Sequence, residues 1–159
     1  MHKNNYNKFA LFMSLILHLY FMKFISGANS GIGKETAADL YKRGAKVIML
    51  CRSEEKANSA INSIKETISN SNGTLSFEQC DMSSMFSVRK CAEKLLGYVD
   101  KIDILVNNAG IVWDWGREVT DDGFELTFAT NHLGPFLLTD LLVPLLKKSA
   151  DSGFTPRLL

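Results

Sequence analysis

The sequence is poor in the residues that staple or metallate a small domain. Its 159 residues include three cysteines, Cys51, Cys80 and Cys91, an odd number with no Cys-x-x-Cys pair. Neither a disulfide framework nor a thiolate metal site is spelled out, and reduced thiols buried in apolar segments are expected. The three histidines, His2, His18 and His132, stand far apart with no cysteine or carboxylate at ligand spacing, so no metal site is predicted. An excess of one charge is missing too. With 18 basic and 17 acidic residues the net charge is +1, and without a long basic block the footprint of a nucleic-acid binder is excluded. Nor is there an internal repeat or a low-complexity linker.

What is present is a chain that is 46% hydrophobic, enough to bury a sizeable core as one domain. A small-molecule ligand and a cytoplasmic or cytosol-facing setting fit that composition. Asn72-Gly73-Thr74 has the form of a glycosylation sequon, but after Ser-Asn-Ser it reads better as a turn. The most apolar stretch lies near the start. From Phe9 to Ile25, FALFMSLILHLYFMKFI is a 17-residue run interrupted only by Ser14, His18 and Lys23. It falls short of the roughly 20 residues that span a bilayer. One reading is an anchor or uncleaved signal; the other is a first buried strand over about Tyr20 to Ser26. The strand is favoured because the glycine-rich turn that follows needs one directly before it. Only about ten apolar residues then remain, too few to cross a membrane as a helix. Residues 1–19 are set apart as an apolar segment, and 20–159 as the folded domain.

Along that domain, apolar strand-like runs alternate with helical spacing. KETAADLYKRG places Ala37, Ala38, Leu40 and Tyr41 at helical spacing and ends on Arg43 and Gly44, a basic last turn and a C-cap. AKVIMLC reads as a strand, and SEEKANSAINSIKETI as a helix opened by Ser53 with Ala57, Ala60, Ile61, Ile64 and Ile68 on one face. TLSFEQCD, SSMFSVRKCAEKLLGYV and KIDILVNNAG continue as strand, helix and strand. From Asp121 to Ala150 the pattern is mainly helical, with a break near Asn131 to Pro135 and a bend at Pro144. Such alternation predicts a doubly wound α/β fold, with parallel strands joined by right-handed crossovers.

Chemistry enters at ISGANSGIGKETA. Gly27, Gly31 and Gly33 lie between the first strand and the first helix, in the spacing Gly-x-x-x-Gly-x-Gly. Gly27 can take the tight turn, Gly31 lets backbone approach a pyrophosphate, and Gly33 allows close packing of the helix on the sheet, whose N-terminus then faces the anion. The expected cofactor-binding turn comprises Ser26, Gly27, Asn29, Ser30, Gly31, Ile32, Gly33 and Lys34. A carboxylate at the end of the second strand would accept a ribose 2′-hydroxyl, whereas an arginine accommodates a 2′-phosphate. The chain has Leu50-Cys51-Arg52 there, with Lys34 adding positive charge, so NADP is expected over NAD.

SGANSGIGKETA, LCRSEEKA, NNAGI and DDGFELTFATNHLGPFLLTDLL, in this order and at these distances, resemble the short-chain dehydrogenases/reductases, and within them the retinol-dehydrogenase-like branch. The likeness runs from about Ile25 to Ala150. It implies a Rossmann-type sheet, an NADP cofactor and an apolar alcohol or aldehyde as substrate. It also implies that Asp81, followed by Met82, bonds the adenine amino group. Asn107, Asn108, Ala109 and Gly110 would line the adenosine side, Asn131 would be the catalytic asparagine, and the helix over 136–146 would pair copies of the chain. Each residue has a plainer reading as well. Asp81 can cap the next helix, Asn107 and Asn108 can form a turn, and Asn131 can bond backbone near Gly134 and Pro135. The two tryptophans of VWDWGREVTDDG could wall a substrate pocket or belong to the core.

The chain departs from the family pattern in two places. Ser26 stands where threonine is usual, which keeps the hydroxyl. More consequentially, the family's Tyr-x-x-x-Lys is not in the sequence: none of Tyr6, Tyr20, Tyr41 or Tyr98 has lysine four residues later. The sheet is therefore expected to stop after about four strands, at FTPRLL, as a partial domain without its proton-transfer group. Two alternatives to an enzyme stand beside this, a non-catalytic nucleotide-binding or dimerisation module and a fragment without function. Association with the endoplasmic reticulum membrane is left open by residues 1–19.

Overall fold

The computed structural model describes residues 21–112 and 116–159. The chain winds through β1 (Met22–Ser26), α1 (Gly31–Lys42), β2 (Lys46–Cys51), α2 (Glu54–Thr67), β3 (Thr74–Gln79), α3 (Met85–Tyr98) and β4 (Ile104–Val106). A helical turn, Leu126–Phe128, then leads through a π-helical segment, Ala129–Leu133, into α4 (Gly134–Asp151) and β5 (Arg157–Leu158). The sheet has the order β3-β2-β1-β4-β5, parallel throughout. The expected apolar segment 1–19 and both tryptophans, Trp113 and Trp115, lie outside the described residues. Among the described residues no helix is long and apolar enough to cross a membrane.

Because both sheet faces are covered, successive strand residues feed two separate cores. Phe24, Ile48, Leu50 and Leu105 pack with Val88, Cys91 and Leu95 of α3 and Leu138, Leu142 and Leu145 of α4. Ile25, Val47 and Met49 face the other way, against Ala37 and Tyr41 of α1 and Ala57, Ala60, Ile61 and Ile64 of α2. That is why the strands read as unbroken apolar runs rather than as alternating ones. Helix starts follow their caps. The Ser53 hydroxyl accepts from Lys56 N at 3.3 Å, and the Ser84 hydroxyl accepts from Ser87 N at 3.2 Å. Ser84, not Asp81, caps α3.

The expected four strands gain a fifth. β5 places Arg157 beside Ile104 and Leu158 beside Leu105, so β4 is not an edge. Arg157 N donates to Asp103 O at 3.0 Å, Leu159 N to Leu105 O at 3.0 Å, and Asn107 N to Leu159 O at 2.7 Å. The break foreseen near Asn131 to Pro135 takes the form of the π-helical segment, and Pro144 is carried inside α4 without ending it.

At the N-terminal ends of β1 and β4 sits Asp103, fully buried. Its carboxylate accepts from Met22 N at 2.7 Å and from the Ser149 hydroxyl at 2.5 Å, with Lys101 Nζ 3.3 Å away. Together with its backbone bonds to Met22 and Arg157, this ties β1, β4, β5 and the end of α4 to one residue. Asp103→Ala strands an amide and a hydroxyl in the core, and the expected loss is about 3–5 kcal/mol, read from urea unfolding; Asp103→Asn keeps one acceptor and loses about 1–3 kcal/mol. A Cβ at Gly134 would lie 2.9 Å from the Met82 carbonyl carbon and nearer still to its oxygen. Gly134→Ala is therefore expected to lower stability by about 1–3 kcal/mol in the same measurement.

Candidate nucleotide site

The turn after β1 is built by close approach. Gly27 has φ +64°, and a Cβ there would lie 2.8 Å from Ala109 Cα. One at Gly33 would meet Asn108 Nδ2 and lie 2.5 Å from Gly27 O. Asn108 Nδ2 donates to the carbonyls of Ser26 at 2.9 Å and Gly27 at 3.2 Å, while Ala109 N donates to the Ser26 hydroxyl at 3.0 Å. Ser26, Gly33 and Asn108 thus weld the turn to the end of β4. Gly31 differs from its two neighbours: at φ +51°, nothing lies within 4 Å of its would-be Cβ. It opens α1, whose N-cap Ser30 makes no side-chain cap bond and whose first turn has no acidic residue. Uncapped amides with the positive end of the helix dipole behind them form an anion site.

In front of this turn runs a groove of about 560 Å³. Gly27, Asn29, Ser30 and Ile32 line it from the turn, Arg52 from the end of β2, Asp81 and Met82 from the end of β3, and Asn108, Ala109 and Gly110 from the end of β4. It lies outside the carboxyl ends of the strands, where chain winding reverses between β1 and β4, the usual place for a ligand on such a sheet. A larger groove of about 660 Å³ between α1 and α2 includes no strand end. Ten of the fourteen expected cofactor-binding residues line the first groove. Of the other four, Ser26 and Gly33 lie beneath it and Gly31 begins the helix above it. Lys34 turns away: its Nζ donates to Ser63 Oγ on α2 at 3.0 Å.

Two plainer readings need correction. Asp81 Oδ1 accepts from Ser83 N at 3.0 Å and Ser83 Oγ at 2.7 Å, forming a turn before the helix rather than its cap. Asn131 bonds backbone as foreseen, but the backbone is that of Ile111: Nδ2 donates to Ile111 O and Oδ1 accepts from Ile111 N, both at 2.8 Å. Asn107 faces α4, donating to Thr139 Oγ1 at 3.2 Å, and does not line the groove. Lining residues not anticipated from sequence include Ser53, Lys56, Ile111, Leu126 and Thr130. Lys56 was legible, since it lies in the first turn of the helix that Ser53 caps. Thr130 was not. It is 8% exposed, and among the described residues its buried hydroxyl has no partner.

No tyrosine among the described residues reaches the groove. Tyr41 is in the core. Tyr98 donates to Glu78 Oε1 at 2.9 Å near the outer edge of the sheet, where burial first, and then that carboxylate, push its pKa up. Cys51, Cys80 and Cys91 are all free and buried. Burial raises the Cys51 pKa, and a hydrogen bond with Cys91 together with burial raises that of Cys80, as inert thiols require.

A dinucleotide fits these residues on two counts: the open backbone at Gly31 and the unpartnered Thr130 hydroxyl beside the groove. Comparisons agree with that geometry. The family model described as short chain dehydrogenase matches residues 22–153. Human retinol dehydrogenase 13 is 44% identical over 131 residues, covering 80% of this chain and 38% of that protein. Mouse retinol dehydrogenase 14 is 43% identical over 136 residues, covering 80% and 40%. Among solved structures, the RhlG/NADP active-site complex of Pseudomonas aeruginosa superposes with a TM-score of 0.71 at 27% identity, covering 87% of this chain and 52% of that one. A protein of Mycobacterium paratuberculosis gives 0.67 at 39% identity, covering 79% and 42%. The chain spans about two fifths of the length of these curated relatives. A parallel sheet of this order, a glycine turn welded to the end of β4, and a match over nearly all of the described residues lead to one conclusion: the chain belongs to the short-chain dehydrogenase family.

Proposed function

We propose that the chain forms the NADP-binding half of an oxidoreductase that interconverts an apolar, retinol-like alcohol and its aldehyde. The observation that carries this reading is the groove itself, with uncapped α1 amides for the pyrophosphate and Arg52, exposed and without an ion pair among the described residues, at the end of β2. The names of the relatives support the substrate class. NADP supplies the hydride acceptor or donor. The chain's residues bind and orient. Gly31 admits the pyrophosphate to the backbone, Arg52 pairs with the 2′-phosphate, and Asp81, one of whose oxygens is taken by Ser83, keeps the other for the adenine amino group. Asn131, the family's catalytic position, holds Ile111 and thereby fixes the wall of the groove beyond β4. The buried reduced thiols suit a cytosol-facing location, with or without attachment to the endoplasmic reticulum membrane.

A second reading, a binding or dimerisation module, draws on one feature. Phe128, His132 and Phe136 form an exposed ladder, with ring centroids 5.1 and 6.4 Å apart, running from the helical turn through the π-helical segment into α4. A second copy of the chain presenting the same stripe would cover it.

Calorimetry on the folded chain is expected to give tighter binding of NADP than of NAD, and Arg52→Asp is expected to reverse the order; equal affinities in the unaltered chain would show Arg52 to be a solvated turn residue. With no Tyr-x-x-x-Lys to exchange a proton, a loss of about 10² to 10⁴-fold or more is expected in rate. Hydride transfer from NADPH to all-trans-retinal by the isolated chain should therefore be undetectable by absorbance. Turnover that Gly31→Trp abolishes would refute this and show that another residue supplies the proton.

A further inference from the structure

Between β4 and the π-helical segment the chain folds into a small hairpin, 118–126. It closes on itself: Leu126 N donates to Glu118 O at 2.9 Å, Thr120 N to Phe124 O at 2.8 Å and Gly123 N to Thr120 O at 2.8 Å, while Val119 and Glu125 form an antiparallel bridge. Little apolar burial fastens it, since Glu118, Val119 and every residue from Asp121 to Phe124 are exposed. Apart from bonds to the helical turn that follows, one hydrogen bond among the described residues joins the hairpin to the rest of the fold. Met85 N, at the start of α3, donates to Asp122 Oδ2 at 2.7 Å. Both sides of that bond adjoin the nucleotide groove: Ser83, two residues before Met85, and Leu126, where the hairpin closes, line it together with Asp81, Met82 and Thr130. The bond is not needed to cap α3, because the Ser84 hydroxyl already accepts from Ser87 N. A carboxylate bonded at a helix N-terminus is favoured by the dipole, and this one sits at the surface, where it can open without disturbing either core.

We propose that hairpin 118–126 is a flap at the end of the groove formed by Asp81 to Ser83, and that Asp122 is its latch. Closed, the bond to Met85 N holds Leu126 in the wall beside that strand end and keeps a bound nucleotide in place. Open, it lets that wall give way. Asp122 touches no ligand and acts as a positioning residue. The inference rests on the nucleotide reading above, to which it adds a control on release. Segments that open at low cost gate ligand exchange, and changes of this kind show mainly in the dissociation rate.

The test loads the full 159-residue chain with NADPH, mixes it rapidly with excess NADP and follows release by the fluorescence of the reduced cofactor. Hydrogen exchange at the amides of Thr120, Gly123, Phe124 and Leu126 is measured on the same proteins without nucleotide. Asp122→Ala is expected to raise the release rate about fivefold with little change in association, and to speed exchange at those amides. Asp122→Asn, which keeps a carbonyl acceptor, should restore most of both. Ser84→Ala controls for the loss of a helix cap: it should lower the melting temperature and leave release unchanged. An unaltered release rate in folded Asp122→Ala overturns the latch and leaves the nucleotide groove standing, whether or not exchange quickens. Equal acceleration by Ser84→Ala also overturns it, because the effect then belongs to α3 as a whole. If the unaltered chain binds no NADPH, the latch and the nucleotide reading fall together.

Discussion

Where β1 ends, the carbonyls of Ser26 and Gly27 both receive hydrogen bonds from the side-chain amide of Asn108, and the groove depends on this fastening. Ala109 N, bonded to the Ser26 hydroxyl, makes it double. Two loops far apart in the sequence are thereby held too close for any side chain at residues 27 or 33. Buried carbonyls without donors would cost roughly 1–3 kcal/mol each, so the amide both satisfies the turn and fixes its direction. With its back tied down, the turn has one open side, at Gly31, and the start of α1 faces the space where an anion can sit.

The far wall of the groove is assembled on the same logic from longer-range contacts. Gly134 lets α4 begin directly against the Met82 carbonyl, and Asn131 grips Ile111 through both of its polar atoms. The strand ends that carry Asp81 and Gly110 are thus referred to one helix, whose other end is anchored through Ser149 to Asp103. The two cores hold the layers together, while these few polar contacts decide how the layers are registered.

Much of this could be read from the chain before folding. The alternation of apolar runs with helical spacing carries the sheet and its helices, and the three glycines between a strand and a helix carry the site, because both depend on neighbours in sequence. Relations between distant residues were harder to read. β5 is two residues long, with no periodicity to show, and exists only because Arg157 and Leu158 find β4 beside them. Asp81 and Ser84 both precede α3 with suitable side chains, and spacing does not tell cap from turn. Asn131 has its partner twenty residues upstream. For Lys34, helical phase gives the face of α1 but not the hydroxyl across from it. Lys56 follows from local sequence alone, three residues after the cap Ser53.

The π-helical segment Ala129–Leu133 carries Thr130 and Asn131 at the seam between a helical turn and α4. A π turn holds one residue more than an α turn, so it behaves as an insertion absorbed without a loop. Each residue in an α-helix advances the phase by about 100°. Taking one residue out of the segment would leave a regular helix and turn everything before it by that angle relative to α4. The irregularity therefore sets the phase of Asn131, which grips Ile111, apart from that of Leu138 and Leu142, which pack in the core, by about the angle of one residue.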